Sequence, residues 1–543
     1  MSSEDQPDPD PNAPGQIRDK LFWIGLAVVL ATFAALRWRL LDLPLERDEG
    51  EYAYAGRMIL EGLPPYVNVY SMKLPGIYAA YALVLKVFGE THRDIHLALL
   101  VVNALSGALV FFLARRFFGP WPALAASALF GLLSMGRGVQ GVFANAEHFV
   151  LPCALGGLLL LFRYLDEGKR RLLVGSGLCL GLAFLVKQHA LLFLAAGGAI
   201  LLLERWRQGV RDPKLLGVEA GIMILSILTP YLITCAIFLS IGAFGDFWYW
   251  TFDYARAYTG EVPFAQIPVT FPPQFKAVTA GTWMIWILAG LGLVAIWFEK
   301  RLRNHAPALT IFAVCSFLAI CPGFWFRAHY WALLLPALAL LGAAAVRGVA
   351  NLLPGGHLRT ALPVGLFLLV FGSSVAKQSE DLFEASVLQY VRQTYRLNPF
   401  PEALEVGKLI EATTDEDDRV AVIGSEPQIF FYSKRRAASG FMYTYPLMEG
   451  HEFALEMQRR MISEIEASEP KVVVFVKNPL SWLRREDSHA LIFEWFQEYS
   501  QGLHMTAAVD TYRNGMARLY KGEQLAERGN DYTTSLEIYE RLP

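Results

Sequence analysis

The residues of this chain best suited to chemistry follow its first apolar segment, in a polar stretch between two membrane-length runs. Asp48 and Glu49 are adjacent there, and Lys73 stands farther along, directly before Leu-Pro-Gly at 74–76. Ionisable groups near a membrane are costly and usually serve a function. A carboxylate can take a proton from a hydroxyl group, and a lysine can hold a phosphate. Together they predict group transfer from a lipid phosphate at a membrane surface.

The same residues also have structural interpretations. Asp48 followed by Glu51 matches a capping box, with a helix over 49–61 to follow. Two adjacent carboxylates repel each other, so one is expected to have a raised pKa and to be the better base near neutral pH. For Lys73 the alternatives are a lysine that reaches the membrane interface and a phosphate contact. The proline after it predicts an amphipathic helix over about 75–88, flat on the outer surface.

Two more polar stretches stand where later helices begin. The stretch 145–148 is Asn-Ala-Glu-His, which offers either a helix cap or, in Glu147, a second acid facing the first loop. The stretch 327–330 is Arg-Ala-His-Tyr. It is either an ordinary polar helix start or a site where Arg327, with Tyr330, grips an anionic group.

The composition is that of a membrane protein. The chain has 543 residues, 54% of them hydrophobic, and the apolar residues are gathered in runs. The net charge is -2, and no basic patch with interleaved aromatic residues is present, so nucleic acid is not an expected partner. Membrane helices are predicted at roughly 21–41, 95–114, 121–136, 148–164, 172–187, 189–203, 215–241, 281–298, 307–325, 331–350 and 361–377.

Basic residues in alternate loops set the orientation. They are Arg115, Arg116, Arg163, Lys169, Arg170, Arg171, Arg205, Arg207, Arg211, Lys300, Arg301 and Arg303. The positive-inside rule puts these loops in the cytoplasm, with a disordered tail at 1–20. The long loops 42–94 and 242–280 and the C-terminal region then face outward. Arg37 and Arg39, at the outer end of the first helix, break the rule and are expected to snorkel or to meet an anionic headgroup.

The chain divides into two parts after the tail. Residues 21–377 form the transmembrane domain, and from about 378 the composition becomes that of a soluble α/β domain, 378–543. Segments 419–424 and 471–476 are typical of buried strands, with a helical pattern at 450–468 between them. The predicted fold class is mainly α, with about 11 transmembrane helices and a C-terminal α/β domain on the outer face.

Two features each have two interpretations between which the sequence does not decide. The loop 242–280 is rich in aromatic residues and is either an interfacial anchor or a lid that contacts lipid or sugar. The stretch 187–189, Lys-Gln-His, is either a turn at the outer surface or a polar break in one long helix.

No cofactor is required by the sequence. The five cysteines lie in or beside apolar runs, and none has a spacing typical of zinc ligands or falls in the polar C-terminal region. No metal-binding residue is therefore predicted, and a role for a divalent metal is left open.

The outer-loop motifs together resemble the polytopic GT-C glycosyltransferases, and most closely the bacterial branch with protein O-mannosyltransferases and aminoarabinose lipid A transferases. The motifs are Asp-Glu-x-x-Tyr-Ala (48–53), Gly-Leu-Pro-Pro-Tyr (62–66), Lys-x-Pro (73–75), Phe-Gly (88–89) and Arg-Arg-Phe-Phe-Gly (115–119). Phe184 to His189, and His329-Tyr330 leading to Leu335-Pro336, are similar to later family signatures. The resemblance covers roughly 20–380, with the family's usual Lys-Pro-Pro replaced by Lys-Leu-Pro-Gly.

This resemblance implies an inverting transfer of a sugar from a polyprenyl-phosphate carrier to an acceptor hydroxyl or phosphate, on the outer face of the inner (plasma) membrane. It implies that Asp48 acts at the catalytic centre, with Glu49 orienting it or the sugar and Glu147 as the second acid. The expected substrate-binding residues are Lys73, Arg327, Tyr330, His329 and Lys187. The expected partners are the lipid-linked sugar donor, a protein, lipid or glycan acceptor, and the bilayer.

Two other functions are compatible with a chain of many helices. A transporter or flippase of lipid-linked sugars would place ionisable residues near mid-membrane and would show internal pseudo-symmetry. A structural scaffold of the cell envelope would tolerate alanine in place of the first-loop acids.

Overall fold

The structure, a computed structural model, describes residues 14–260 and 262–541, with the backbone alone for 14–19 and 259. The predicted tail at 1–20 therefore lies largely outside the described residues. The α-helices are α1 (Pro14–Trp38), α2 (Arg47–Leu60), α3 (Pro75–Phe88), α4 (His92–Phe118), α5 (Pro120–Leu133), α6 (Ala146–Glu167), α7 (Arg170–Val186), α8 (Leu191–Arg207), α9 (Pro213–Ser240), α10 (Phe244–Trp248), α11 (Ala255–Thr259), α12 (Ile267–Thr279), α13 (Trp283–Phe298), α14 (Ala306–Leu318), α15 (Leu335–Leu352), α16 (Leu358–Lys377), α17 (Val387–Tyr395), α18 (Phe400–Thr413), α19 (Gln428–Ser433), α20 (Tyr445–Met448), α21 (Ala454–Ser468), α22 (Pro479–Trp482) and α23 (Leu491–Tyr499). The strands are β1 (Arg419–Ile423), β2 (Arg436–Ala437), β3 (Val472–Lys477), β4 (Leu503–Thr511), β5 (Ala517–Lys521) and β6 (Thr534–Arg541).

Every predicted membrane segment is helical, and the chain is a multi-pass membrane protein. Among the described residues, 7 helical segments are long and apolar enough to cross a bilayer on their own: Lys20–Trp38, α4, α6, Gln188–Arg207, α9, Ala328–Leu352 and α16. The pair α12 and α13 passes the same test together but is bent by 103°. The helices α5, α7 and α14 are shorter, and they pack between the longer ones. The predicted fold class is confirmed.

The stretch 187–189 is a turn between two helices. Helix α7 ends at Val186, a 3-10 turn follows over Gln188–Ala190, and α8 begins at Leu191. The two short apolar halves are therefore separate helices, and the polar residues lie at the end where α7 meets α8.

Two helices of the loop 42–94, α2 and α3, form the floor of the candidate site. Pro75 starts α3, because a proline at the first helical position costs no hydrogen bond. Helix α3 buries Tyr78 and Tyr81 against its neighbours and leaves Leu83 exposed. Gly76 allows α3 to approach the end of α7 closely, since a Cβ there would lie 2.4 Å from the Leu185 carbonyl.

The C-terminal part contains one mixed six-stranded sheet with the order β2-β1-β3-β6-β4-β5. Strand β1 is parallel to β2 and β3, and β6 is antiparallel to β3 and β4. Strands β1 and β3 and helix α21 lie where the sequence predicts them. Strands β1 and β3 are buried along nearly their whole length, which explains why each appears in the sequence as an apolar run.

The two arginines at the C-terminal end of α1 make structural hydrogen bonds. Arg37 is buried and donates hydrogen bonds to the carbonyls of Gly141 and Ser134, at 2.8 and 2.6 Å. Arg39 donates to three carbonyls in the segment 381–385. The expectation that they snorkel or meet a headgroup is wrong. Both side chains lie among helix ends and turns, and the backbone carbonyls there accept their hydrogen bonds.

The aromatic loop 242–280 packs over the loop 42–94. Phe247 and Trp250 are buried, and the Trp250 ring is stacked on that of Tyr70 with 5.0 Å between their centroids. The Tyr254 hydroxyl donates to Glu449 in the C-terminal part at 2.9 Å. The loop thus contacts both the first loop and the C-terminal sheet domain.

Candidate active site

Helix α2 carries the first acids, and its cap lies two residues upstream of the predicted one. Glu46 is the N-cap: its carboxylate accepts from the Glu49 amide, and the Glu49 carboxylate accepts from the Glu46 amide. The predicted capping box of Asp48 with Glu51 is therefore wrong, because the chain enters the helix earlier, at Arg47. Asp48 and Glu51 lie within the helix, three residues apart and on one face.

Lys73 joins these two carboxylates. Its ammonium lies 2.8 Å from Asp48 Oδ1 and also forms an ion pair with Glu51. Tyr78 of α3 donates a hydrogen bond to the other oxygen of Glu51, and the ammonium lies 4.7 Å from the centre of the Tyr52 ring. The predicted meeting of Asp48 and Lys73 is thus present.

The hydrogen bonds to Asp48 all fall on one oxygen. Lys73 and the hydroxyl of Tyr443, 3.0 Å away, both donate to Oδ1. No donor among the described residues reaches Oδ2 of Asp48, whose side chain is 23% exposed. One carboxylate oxygen is therefore held by the protein, and the other is open to a bound molecule.

Asp48 is not a carboxyl whose pKa is raised by its acidic neighbour. Partial burial raises the pKa of Asp48, but the positive charge of Lys73 more than offsets it, and Lys187 acts in the same direction. The net result is a pKa well below the ordinary value, so Asp48 is ionised at neutral pH. The carboxyl with a raised pKa is Glu46, mainly because it is buried and also because Asp48 and Glu49 are near it.

A second cluster forms where α6 begins and α7 ends. Glu147 is buried and makes an ion pair with Lys187, whose ammonium lies 4.4 Å from the centre of the Tyr330 ring. The second oxygen of Glu147 has no hydrogen-bond partner among the described residues. His329 Nδ1 donates a hydrogen bond to Gln140 Oε1 at 3.1 Å, and the His329 ring packs against Tyr330. The Tyr330 ring thus forms a cation–π contact with the Lys187 ammonium.

The two clusters belong to one site. The pKa of Asp48 is lowered mainly by the charge of Lys73 and also by that of Lys187, so the second cluster lies within electrostatic reach of the first. Arg327 lies beside it with its guanidinium 4.8 Å from the centre of the Trp325 ring. No carboxylate among the described residues pairs with Arg327, so its charge is available to an anion.

Glu49 faces away from this group. One of its oxygens accepts hydrogen bonds from the Ala144 amide and from His96 Nε2 at 2.9 Å, and the other accepts from the Glu46 amide. It is completely buried. The structure therefore does not bring Glu49 to Asp48's free oxygen, and Glu49 ties α2 to α4 and to the loop before α6.

Two residues of the cluster were missed in the sequence. Glu51 was noted only as a capping partner, although its position three residues after Asp48 on a helix predicts a shared face. Tyr443 comes from the C-terminal domain, and no motif around it points to the first loop. Only the folded chain brings it there.

In the part of the chain that the structure describes, no three His, Cys, Asp or Glu side chains form a group that could hold an ion. Asp48 and Glu51, the two acids on one face of α2, share the ammonium of Lys73.

Comparisons with known proteins agree with this architecture. Residues 73–233 match the family model described as dolichyl-phosphate-mannose-protein mannosyltransferase. The crystal structure of ArnT from Cupriavidus metallidurans, bound to undecaprenyl phosphate, matches with a TM-score of 0.58 at 14% identity, covering 96% of this chain and 98% of that one. The chain has the GT-C glycosyltransferase fold. Archaeal oligosaccharyltransferase AglB from Archaeoglobus fulgidus, in complex with an inhibitory peptide and a dolichol-phosphate, matches with a TM-score of 0.54 at 10% identity, over 95% of this chain and 76% of that one.

A relative by sequence is found among bacterial enzymes. The undecaprenyl phosphate-alpha-4-amino-4-deoxy-L-arabinose arabinosyl transferase of Pseudomonas aeruginosa PAO1 is 28% identical over 377 residues, which is 65% of this chain. The match spans 63% of the length of that relative. The resemblance to GT-C glycosyltransferases inferred from the loop motifs is confirmed.

Proposed function

We propose that this GT-C protein is a membrane glycosyltransferase that moves a sugar from a polyprenyl-phosphate carrier to an acceptor hydroxyl or phosphate. The observation that carries the proposal is the contact of Lys73 with Asp48, one oxygen of which is left open. The named activities of the P. aeruginosa relative and of the matching family model support a transferase over a transporter. The carrier is of the undecaprenyl type, by analogy with the same relative.

The reaction takes place on the outer face of the membrane. The basic connections α4–α5, α6–α7, α8–α9 and α13–α14 lie at the opposite helix ends from the candidate site, and the positive-inside rule puts such connections in the cytoplasm. The ion pair of Arg116 with Asp166 joins two of them. The transmembrane domain 21–377 then presents its site to the C-terminal domain 378–543 outside the cell membrane.

Transfer proceeds as a single displacement. The acceptor oxygen attacks the anomeric carbon while the bond from that carbon to the phosphate oxygen breaks, so the configuration inverts. When the acceptor is a hydroxyl, its proton goes to Asp48 Oδ2, and the carrier phosphate leaves with the bonding electron pair. Lys73 and Arg327 neutralise the charge that grows on this phosphate. Lys187 holds Glu147, whose unpaired oxygen accepts a hydrogen bond from a sugar hydroxyl.

Donor binding also activates the base. The ion pair with Lys73 holds the pKa of Asp48 down. A bound phosphate competes for the same ammonium, and as Lys73 turns toward it the pKa of Asp48 rises toward a value better suited to proton transfer. The site thereby becomes a stronger base only when the sugar donor is present.

The test is the substitution Asp48→Asn in protein reconstituted with a polyprenyl-phosphate sugar and an acceptor extract. Loss of transfer of about 100-fold or more is expected, since general-base catalysis contributes about that much. The matched control is Asp42→Asn, because Asp42 is 60% exposed and pairs only with the exposed Arg93. Near-normal transfer by Asp48→Asn, in protein that inserts and folds like the control, would refute the assignment.

A second measurement distinguishes a transferase from a transporter of lipid-linked sugars. Labelled lipid-linked sugar is followed across liposome membranes without acceptor, using the wild type and Asp48→Asn. The transferase predicts no translocation above empty liposomes for either protein. Rapid translocation that needs no acceptor would favour the transporter.

A further inference from the structure

The hydroxyl of Tyr443 lies inside the cluster of the first outer loop, although the residue belongs to the C-terminal domain. It is 3.0 Å from Asp48 Oδ1, 3.2 Å from the Lys73 ammonium and 3.2 Å from the Arg47 carbonyl. The same ammonium lies 5.0 Å from the centre of the Tyr443 ring. Its ring is stacked on that of Tyr445, with 5.7 Å between centroids.

The chemistry of the three groups sets the direction of each hydrogen bond. An ammonium group can only donate, so Tyr443 accepts from Lys73. Burial, with the nearby Glu51 and Asp48, raises the pKa of the Tyr443 phenol, which therefore keeps its proton at neutral pH. That proton is donated to Asp48 Oδ1 at 3.0 Å, because an ionised carboxylate is a stronger acceptor than the Arg47 carbonyl at 3.2 Å. Two donors then hold Oδ1, and the carboxylate plane directs Oδ2 outward.

The C-terminal domain is fastened to α2 beside this contact. Arg47 donates to the Ser425 carbonyl at 2.7 Å and to Asn398 Oδ1 at 2.6 Å. The Leu45 amide donates to the Tyr432 hydroxyl at 2.7 Å. These bonds anchor the first turn of α2, which carries Asp48, on the domain that carries Tyr443. The hydroxyl and the carboxylate are consequently positioned by one rigid contact.

We infer that Tyr443 is a positioning residue for sugar transfer, and that the C-terminal domain completes the active site by fixing Asp48 with its free oxygen toward the acceptor. The inference rests on the function proposed above. Tyr443 touches the base and the phosphate-binding lysine, and it acts through them.

The test is Tyr443→Phe, which keeps the ring, its stacking and its contact with Lys73, and removes only the hydroxyl. We expect kcat to fall about 10-fold, the size of one lost hydrogen bond, with KM for the lipid-linked sugar within about 3-fold of the wild type. Loss of a donor to Asp48 also raises the pKa of Asp48, so the acid limb of the kcat profile moves to higher pH.

The control is Tyr54→Phe. The Tyr54 hydroxyl accepts a hydrogen bond from the Ala437 amide at 2.9 Å, so this change also removes a bond between α2 and the C-terminal domain, but away from Asp48. We expect it to leave kcat and the pH profile unchanged. Equal losses of kcat in both variants would show that Tyr443 only holds the domains together, and would overturn the inference.

Two other results would also overturn it: a kcat for Tyr443→Phe within about 2-fold of the wild type, or a raised KM with unchanged kcat. Asp48→Asn measured in parallel separates the two levels of argument. If Asp48→Asn is inactive and Tyr443→Phe is normal, only the positioning role fails. If Asp48→Asn is active, the proposed function fails with it.

Discussion

The ion pairs of Lys73 predict that its substitution by methionine affects both stability and activity. Lys73→Met keeps most of the side-chain length and removes the ammonium that Asp48 and Glu51 share. The side chain of Glu51 is 0% exposed, so after the change a carboxylate stays buried with the Tyr78 hydroxyl as its remaining partner. Asp48, which is partly exposed, can turn toward solvent.

The expected loss of unfolding free energy follows from the buried carboxylate of Glu51. Breaking a buried ion pair by removing one member costs roughly 3–5 kcal/mol, mostly the penalty of the charge that is left behind. The double variant Lys73→Met with Glu51→Gln removes that charge and keeps an acceptor for Tyr78. We expect it to recover part of the loss, with a coupling free energy of about 1–3 kcal/mol between the two positions.

The assay measures the free energy of unfolding and sugar transfer for the wild type, the two single variants and the double variant. Denaturant titration in mixed detergent micelles reports the free energy of unfolding. Sugar transfer is measured after reconstitution in liposomes. Recovery of stability without recovery of transfer is the expected result, because Glu51→Gln restores the fold and cannot supply a charge for the phosphate.

Two outcomes would refute this reasoning. If Lys73→Met unfolds with the same free energy as the wild type, the ammonium is not what compensates Glu51. If the double variant regains sugar transfer, the lysine serves the fold alone and has no part in holding the carrier phosphate.

Two further predictions concern α2. The folded-state pKa of Asp48 is lowered, so its ion pair stabilises the fold at pH values above the ordinary carboxyl pKa and loses this effect as the pH falls. The difference in unfolding free energy between the wild type and Asp48→Asn should therefore be constant from about pH 8 to 5 and shrink below about pH 4. A difference that already shrinks near pH 7 would contradict this. Gly50→Ala would put a Cβ 2.5 Å from the Gln428 amide of the C-terminal domain. We expect it to lower the free energy of unfolding by about 1–3 kcal/mol and to reduce sugar transfer strongly. Gly156→Ala is the control, because nothing lies within 4 Å of the added Cβ there. Equal stability of the two alanine variants would argue against close packing of α2 on that domain.

Local patterns predicted the elements well. The apolar runs became helices near their predicted bounds, and β1 and β3 lie within a residue or so of the predicted strands. Periodicity and run length report which face or segment is buried, and this information is contained in neighbouring residues. The meeting of Asp48 and Lys73 was also predicted, because family motifs within the loop 42–94 supplied it.

Details that depend on distant residues were predicted less well. The cap of α2 is Glu46, since the chain approaches the helix along a path set by the C-terminal domain. Glu49 turns to His96 and the Ala144 amide, which no spacing within the first loop indicates. The pKa of Asp48 is lowered because its ion pair with Lys73, which lies 25 residues farther along the chain, outweighs the effect of burial.

The sequence by itself determined the membrane class and the order of helices, and it singled out Asp48 and Lys73 as candidate site residues. These properties follow from hydropathy, charge and short-range spacing. Only the tertiary structure decided which oxygen of Asp48 is open and that Tyr443 stands beside it, because hydrogen-bond partners hundreds of residues apart meet solely through packing. The orientation of a side chain depends on the groups that surround it in space, and those groups are not its neighbours along the chain.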